Sequence, residues 1–325
     1  MRAMVCQQWG APSALELAEL PSPTVSAGQV KVRVHACGIN FADVLMVAGQ
    51  YQVRPPFPFS PGLEVAGEVI EIGEGVSTLS VGMRVMALAD YGGMAEEVVV
   101  PAHMVVPISD QMDMVTAAGF AVAYGTSHLA LEHRARLQPG ESLLVLGAAG
   151  GVGLTAVELG HLMGAKVIAA ASTSEKLELT RQYGADEVIN YSDEDLRTRL
   201  KAITGGGVDV VFDPVGGDLS EQATRSLNWE GRLLVIGFAS GKIPQPALNL
   251  TLVKNFSVIG LYWGGYASRK PEILITSLTK LMMWYDEGRL KPHVSHVLPL
   301  ERASEALEML ANRTSTGKVV LQVTG

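Results

Sequence analysis

The chain has 325 residues, 48% hydrophobic and 18% charged, with 33 acidic against 25 basic side chains and a formal net charge of −8. That length suits about two domains, because one core seldom grows past roughly 250 to 300 residues, and so apolar a chain is not a disordered one. An acidic balance with no basic run argues against a nucleic-acid binder, and two cysteines, Cys6 and Cys37, cannot build a disulfide framework or a multi-cysteine zinc site.

The opening MRAMVCQQWGAP has no charged region leading into an apolar core. No later run reaches the roughly 20 apolar residues that a membrane span needs. A cytoplasmic protein without membrane or nucleic-acid partners is expected.

Residues 1 to about 120 are β-rich. The stretches QVKVRVHACGI, EVAGEVIEIG, RVMALA and AEEVVVPAHMVVPI are short runs of β-branched residues closed by Gly, Pro or Asp. Between them RPPFPFSPG (54–62) must be an extended, stiff loop, since each proline ring fixes φ and removes a donor.

From about 123 the rhythm changes to alternating helices and strands. Helix AYGTSHLALEHRA leads to strand SLLVLG, helix VGLTAVELGHLMG, strand KVIAAAS, helix EKLELTRQYG and strand EVIN. Helix DEDLRTRLKAITG, strand VDVVFDPV, helix LSEQATRSL and strand GRLLVIGF follow. Alternation at this spacing predicts right-handed βαβ units and a doubly wound parallel sheet.

After NFSVIGLYWG (255–264) come helices ILITSLTKLMMWYDEG and ERASEALEMLAN and a last strand, KVVLQV. This tail lacks the alternation and is expected to rejoin the first part. The expected division is therefore a β-rich domain over 1–122, a dinucleotide-binding domain over 123–263, and a return to the first domain over 264–325.

The stretch LLVLGAAGGVGLTAVELG (143–160) has the order strand, glycine turn, helix. In that context a glycine motif is a phosphate cradle. Gly147 closes the strand, Gly150 and Gly151 let the backbone approach a pyrophosphate, and Gly153 lets helix and sheet pack closely. The N–H groups opening the helix at Val152 face the anion along the helix dipole.

The end of the next strand, KVIAAASTSEK, decides which dinucleotide is preferred. An NAD-preferring domain places an acid there to receive the ribose hydroxyls, whereas this chain has Ala171 and Ser172, and Glu175 comes only inside the helix. Ser172, Thr173, Lys176 and, one strand further, Tyr191 offer donors to a 2′-phosphate. A charge-assisted hydrogen bond contributes about 1.5 to 3 kcal/mol, about ten- to a hundredfold in affinity, so NADPH is the expected cofactor.

With GINFADVLMVAGQY, PGLEVAGEVIEIGEGV, GAAGGVG and TGKVVL in that order, the whole chain resembles the medium-chain dehydrogenase/reductase superfamily, and in particular its zinc-independent quinone oxidoreductase branch. The resemblance implies an α/β fold in which a Rossmann doubly wound parallel sheet is inserted in a β-rich GroES-like catalytic domain. It also implies a homodimer in which NFSVIGL extends the sheet across a two-fold axis.

Where the zinc-dependent alcohol dehydrogenases carry a Cys ligand after Gly-Ile, this chain has Asn40, and where they carry a His before Glu, it has Leu63 beside Glu64. Neither residue is a zinc ligand, so no metal is expected. The seven histidines show no metal spacing, His293 and His296 included.

By the same resemblance Asn40 lies near the nicotinamide and Tyr51 projects toward it, either as a proton donor or as a pocket wall. Asp43 would hold the loop. Thr126, Leu261 and Trp263 would meet the nicotinamide region, and Arg313 would reach the cofactor phosphate. Gly216, Gly237 and Phe238 stand at the carboxyl ends of parallel strands, where such folds bind ligands.

The implied activity is zinc-independent, NADPH-dependent reduction of quinones or α,β-unsaturated carbonyls. Enoyl-thioester reduction is an alternative, because INFADVL also resembles the enoyl reductase modules of fatty acid and polyketide synthases. A non-catalytic NADPH-binding protein is another.

Overall fold

The structure is a computed structural model and describes residues 1–324. The chain opens with a hairpin of β1 (Arg2–Val5) and β2 (Glu16–Glu19), followed by the long β3 (Gln29–Ile39) and helix α1 (Phe41–Val47). Strands β4 (Glu64–Ile72), β5 (Arg84–Leu88), β6 (Glu97–Pro101) and β7 (Val105–Pro107) follow, then helix α2 (Met114–Ala118).

Next come α3 (Ala121–His128), β8 (Ser142–Leu146), α4 (Gly151–Leu162), β9 (Lys166–Ala171), α5 (Ser174–Gln182), β10 (Glu187–Asn190) and α6 (Leu196–Thr204). The alternation continues through β11 (Val208–Asp213), α7 (Gly217–Arg225), β12 (Leu227–Val235), α8 (Asn249–Lys254) and β13 (Ser257–Gly260). Helices α9 (Gly265–Arg269) and α10 (Pro271–Asp286) lead into β14 (Val294–Pro299), α11 (Ala303–Ala311) and β15 (Lys318–Gln322).

The chain forms two compact units, one of Met1–Val122 with the segment from Leu278 onward, the other of Ala123–Ser277. In the first, a sheet runs in the order β14-β15-β3-β4-β5-β7, with β6 paired to β3. β3 is the hub: it is antiparallel to β4, β6 and β15. Its early residues alternate in burial and its last four are all enclosed. Half-buried antiparallel pairing early on, with cover on both faces at the end, accounts for that pattern.

In the second unit the strands run β10-β9-β8-β11-β12-β13, all parallel. Strands β8, β9 and β11 are enclosed nearly throughout, as helices on both faces of a parallel sheet require. The strand order reverses between β8 and β11, the place where doubly wound sheets open a crevice at their carboxyl ends. The fold is thus α/β: one unit carries a Rossmann-type parallel sheet and the other is β-rich.

Several elements differ from the sequence expectation. The segment AEEVVVPAHMVVPI is two strands, β6 and β7, separated by a 3₁₀ turn over Ala102–Met104, because the chain must leave β3 to reach β5. The helix expected over AYGTSHLALEHRA starts earlier, at Ala121, and its second half, Leu129–Ala135, widens into a π-helix that ends with Arg136 at φ 53°. Helices α1 and α2 have seven and five residues, too short to show periodicity.

Candidate nucleotide and reaction site

In the second unit the glycine turn has the anticipated form, with the helix opening one residue early, at Gly151. Gly147 adopts φ +57°, and a Cβ there would stand 2.9 Å from Val215 Cγ2. A Cβ on Gly153 would lie 2.2 Å from Gly147 O and 2.9 Å from Ala148 Cα. Both of these last obstacles are backbone, so only glycine fits at 153. Gly150 precedes the helix, and its Cβ would lie 3.3 Å from Gly147 O. The first amides of α4, Gly151 and Val152 among them, lack intrahelical acceptors as at any helix start, which leaves an anion-seeking surface.

At the carboxyl ends of the neighbouring strands, Tyr191 N–H donates to Ala171 O at 3.2 Å and Ser192 Oγ donates to Ser172 O at 3.0 Å. Ser172 and Tyr191 are thereby brought together. Thr173 is the N-cap of α5: its hydroxyl accepts from Lys176 N–H at 3.3 Å, and its bond to Glu175 helps hold that carboxyl below the ordinary range. Thr173 therefore serves the helix, a role that the sequence reading did not assign it.

Asp213, at the end of β11, accepts from Val215 N–H and Gly216 N–H at 2.8 and 2.9 Å. This fixes a turn in which Gly216 takes φ +71°, with Phe238 Cδ1 3.1 Å from where its Cβ would be. Gly237 N–H donates to Asp213 O at 3.3 Å, and Leu261 N–H to Val235 O at 3.1 Å. Gly216, Gly237, Phe238 and Leu261 thus belong to one rim of the sheet. Trp263 is 9% exposed and lies against Gly125, where a Cβ would come within 2.6 Å of its ring. Thr126, the next residue, is buried too.

In the first unit the end of β3, the start of α1 and the start of β4 converge. Asn40 precedes α1 and is half-buried; its N–H donates to Asp43 Oδ2 at 2.8 Å. Asp43 Oδ1 accepts from Gly62 N–H at 3.1 Å, so Asp43 ties the loop as anticipated. It is wholly enclosed, and burial pushes its carboxyl up to about 7, against the opposing pull of Asn40 N–H and Lys318.

Asn40 Nδ2 donates to Glu64 Oε1 at 2.9 Å, and Lys318 Nζ reaches Asn40 Oδ1 at 2.7 Å and Glu64 Oε1 at 2.8 Å. Glu64 Oε2 accepts from Val122 N–H, in the first turn of α3, at 2.9 Å. Burial raises the Cys37 thiol well above its ordinary value, and Asp43 and Glu64 add to the effect, so it stays protonated. Lys318 and Glu64 were not selected from the sequence; the one signal was a lysine opening the otherwise apolar KVVLQV.

Tyr51 is half-buried and packs on the core of the first unit. Arg313 follows α11 with φ +57° and is exposed, so it caps a helix end in the first unit. His293 Nε2 pairs with Thr316 Oγ1 at 3.1 Å. Among the described residues no three His, Cys, Asp or Glu side chains form a group able to hold a metal ion, and no helix is long and apolar enough to cross a membrane.

Two sequence-family models match the chain: "Alcohol dehydrogenase GroES-like domain" over residues 26–110 and "Zinc-binding dehydrogenase" over residues 151–279. The "Quinone oxidoreductase-like protein 2" of Bos taurus is 43% identical over 99% of this chain and 92% of its own. The quinone oxidoreductase of Escherichia coli, solved in complex with NADPH, is 29% identical with a TM-score of 0.93, covering 99% of this chain and 100% of that one. That of Thermus thermophilus, also solved with NADPH, is 36% identical with a TM-score of 0.86 over 99% and 100% of the two chains. The chain therefore belongs to the medium-chain dehydrogenase/reductase superfamily and, within it, to the quinone oxidoreductase branch.

Proposed function

We propose that the chain is an NADPH-dependent oxidoreductase that reduces quinones or related α,β-unsaturated carbonyls without zinc. The observation that carries the reading is the glycine turn at the start of α4 together with a β9 end that offers Ser172 in place of a carboxylate. Gly150, Gly151 and Val152 would hold the pyrophosphate, and Ser172, Lys176 and Tyr191 the 2′-phosphate. Gly216, Gly237, Phe238, Thr126, Leu261 and Trp263 would hold the rest of the cofactor, with Arg313 as a further phosphate contact. When bound, the dihydronicotinamide supplies the hydride.

The residues at Asn40 and Leu63 do not fit a zinc ion: a carboxamide and an alkyl side chain replace the thiolate and imidazole that such sites use. The nearby Glu64 is already paired with an ammonium. The chain's own groups must therefore orient an electron-poor acceptor and stabilise its developing negative charge. Tyr51 is assigned as the donor; a phenol, with an unperturbed pKa of about 10, is a competent though weak acid.

The active species is a homodimer. β13 is the free edge of its sheet, and Leu248, Leu252, Val253 and Val258 leave 72, 79, 62 and 43% of their surface exposed beside it. An apolar edge of this kind requires cover.

Oxidation of NADPH and NADH, followed with 1,4-benzoquinone and with crotonyl coenzyme A, each with and without a chelator, tests this reading. The expected result is chelator-insensitive turnover with NADPH and the quinone, and a Ser172→Asp variant that loses at least tenfold in NADPH affinity. Faster reduction of crotonyl coenzyme A would make it an enoyl-thioester reductase, and chelator-sensitive turnover would overturn zinc independence. NADPH binding with no turnover would make it a binding protein.

A further inference from the structure

Lys318 opens β15 and is 6% exposed. An ammonium has three N–H donors and no acceptor. All three are engaged, by Ile39 O at 2.8 Å, Asn40 Oδ1 at 2.7 Å and Glu64 Oε1 at 2.8 Å. On the other side of the Asn40 carboxamide, Nδ2 donates to Glu64 Oε1 at 2.9 Å and to Gly38 O at 3.4 Å.

This pairing settles which end of the carboxamide is which. Lys318 can only donate and an ionised Glu64 can only accept, so turning the amide by 180° would set N–H against ammonium and C=O against carboxylate. With both Nδ2 hydrogens engaged, Asn40 has no hydrogen bond to give and can face a further partner only through Oδ1, as an acceptor.

We propose that Lys318, acting with Glu64, is a positioning residue for the reaction: it fixes Asn40 as an acceptor only. The proposal rests on the oxidoreductase reading above. In that setting Asn40 suits an N–H partner such as the carboxamide of a nicotinamide, and it cannot stabilise the oxyanion that forms on a reduced carbonyl. The ammonium acts through the carboxamide and touches neither reactant. Glu64, whose second oxygen holds Val122 N–H, keeps the ammonium in place.

The test is steady-state NADPH oxidation with 1,4-benzoquinone, NADPH affinity by fluorescence titration, and thermal melting, all on the full chain. Lys318→Met/Glu64→Gln removes both charges together, so no lone buried ion remains. It is expected to lower kcat at least tenfold while NADPH affinity changes less than threefold, and adding Asn40→Ala to it should cost nothing further, the non-additivity of residues that act as one.

A second pair of variants leaves the ammonium in place and changes the number and position of the carboxylates around it. Asn40→Asp alone, which sets two carboxylates side by side, should lose at least tenfold in kcat. Asn40→Asp/Glu64→Gln restores an acceptor at position 40 with a compatible neighbour and should recover kcat to within about fivefold of the parent, an order-of-magnitude expectation for a cluster whose coupling is regained. Unchanged kcat in a folded Lys318→Met/Glu64→Gln, or no recovery in Asn40→Asp/Glu64→Gln, would overturn the positioning role. An unmodified protein that binds NADPH but reduces no quinone would overturn the functional reading instead.

Discussion

Asp43 carries opposed demands. Two backbone N–H groups, from Asn40 and Gly62, bond its separate oxygens, which favours the carboxylate. Burial favours the acid more strongly, and Glu64 adds to it, so its carboxyl titrates near 7. An acid whose folded pKa lies above its unfolded value of about 3.9 binds more protons folded than unfolded between the two. Its contribution to stability is present below about 4 and is lost as pH rises toward 7. Thermal melts should show a midpoint that falls between pH 5 and pH 8. Asp43→Asn can satisfy only one of the two N–H groups with its single oxygen, so it should lose about 1 to 3 kcal/mol at pH 5 and flatten that dependence. A variant with the parent's full pH slope would show that the slope arises elsewhere.

At the scale of the element, the glycine turn shows how little freedom the start of α4 has. Gly153→Ala would drive a methyl into the carbonyl of Gly147, and neither α4 nor the end of β8 can withdraw without breaking the parallel ladder with β9 and β11. The substitution should lower the melting midpoint by several degrees, from strain of about 1 to 3 kcal/mol, and reduce NADPH affinity at least tenfold in a fluorescence titration. Unaltered affinity would show that the turn is not the phosphate cradle.

The turn was legible because strand, turn and helix are contiguous and each leaves a local mark: an apolar run, glycines, then an amphipathic run. The parallel strands were legible for the same reason. The cluster around Asn40 was not, because Lys318 stands 254 residues from Glu64 and 278 from Asn40, and a lysine in TGKVVL looks like any strand-opening charge. The capping role of Thr173 was not read: a hydroxyl that precedes a helix accepts a backbone N–H of the first turn. The π-helical widening of Leu129–Ala135 has no periodicity distinct from an ordinary helix over seven residues.

For the whole molecule, the exposed apolar group at the edge of the parallel sheet sets the expectation about assembly. Val258→Lys places a charge on β13, where Val258 is 43% exposed, and edge lysines oppose strand-to-strand pairing. Light scattering coupled to size exclusion should find a dimer for the parent and a larger monomer fraction for the variant, with little change in melting of the isolated subunit. Equal dimer content would place the contact on another face.

The discontinuous first unit has a consequence for synthesis. β3 needs β15, at least 280 residues later, to complete its pairing, and Glu64 has its ammonium only when that strand arrives. The second unit, Ala123–Ser277, is uninterrupted and can mature while the ribosome is still at work. Translation at about 5 to 20 residues per second leaves the opening strands waiting about 14 to 56 s with an unneutralised acid and an unzipped edge. A nascent chain stalled before residue 318 should consequently be rich in protease-sensitive sites ahead of residue 123 and resistant over residues 123–277.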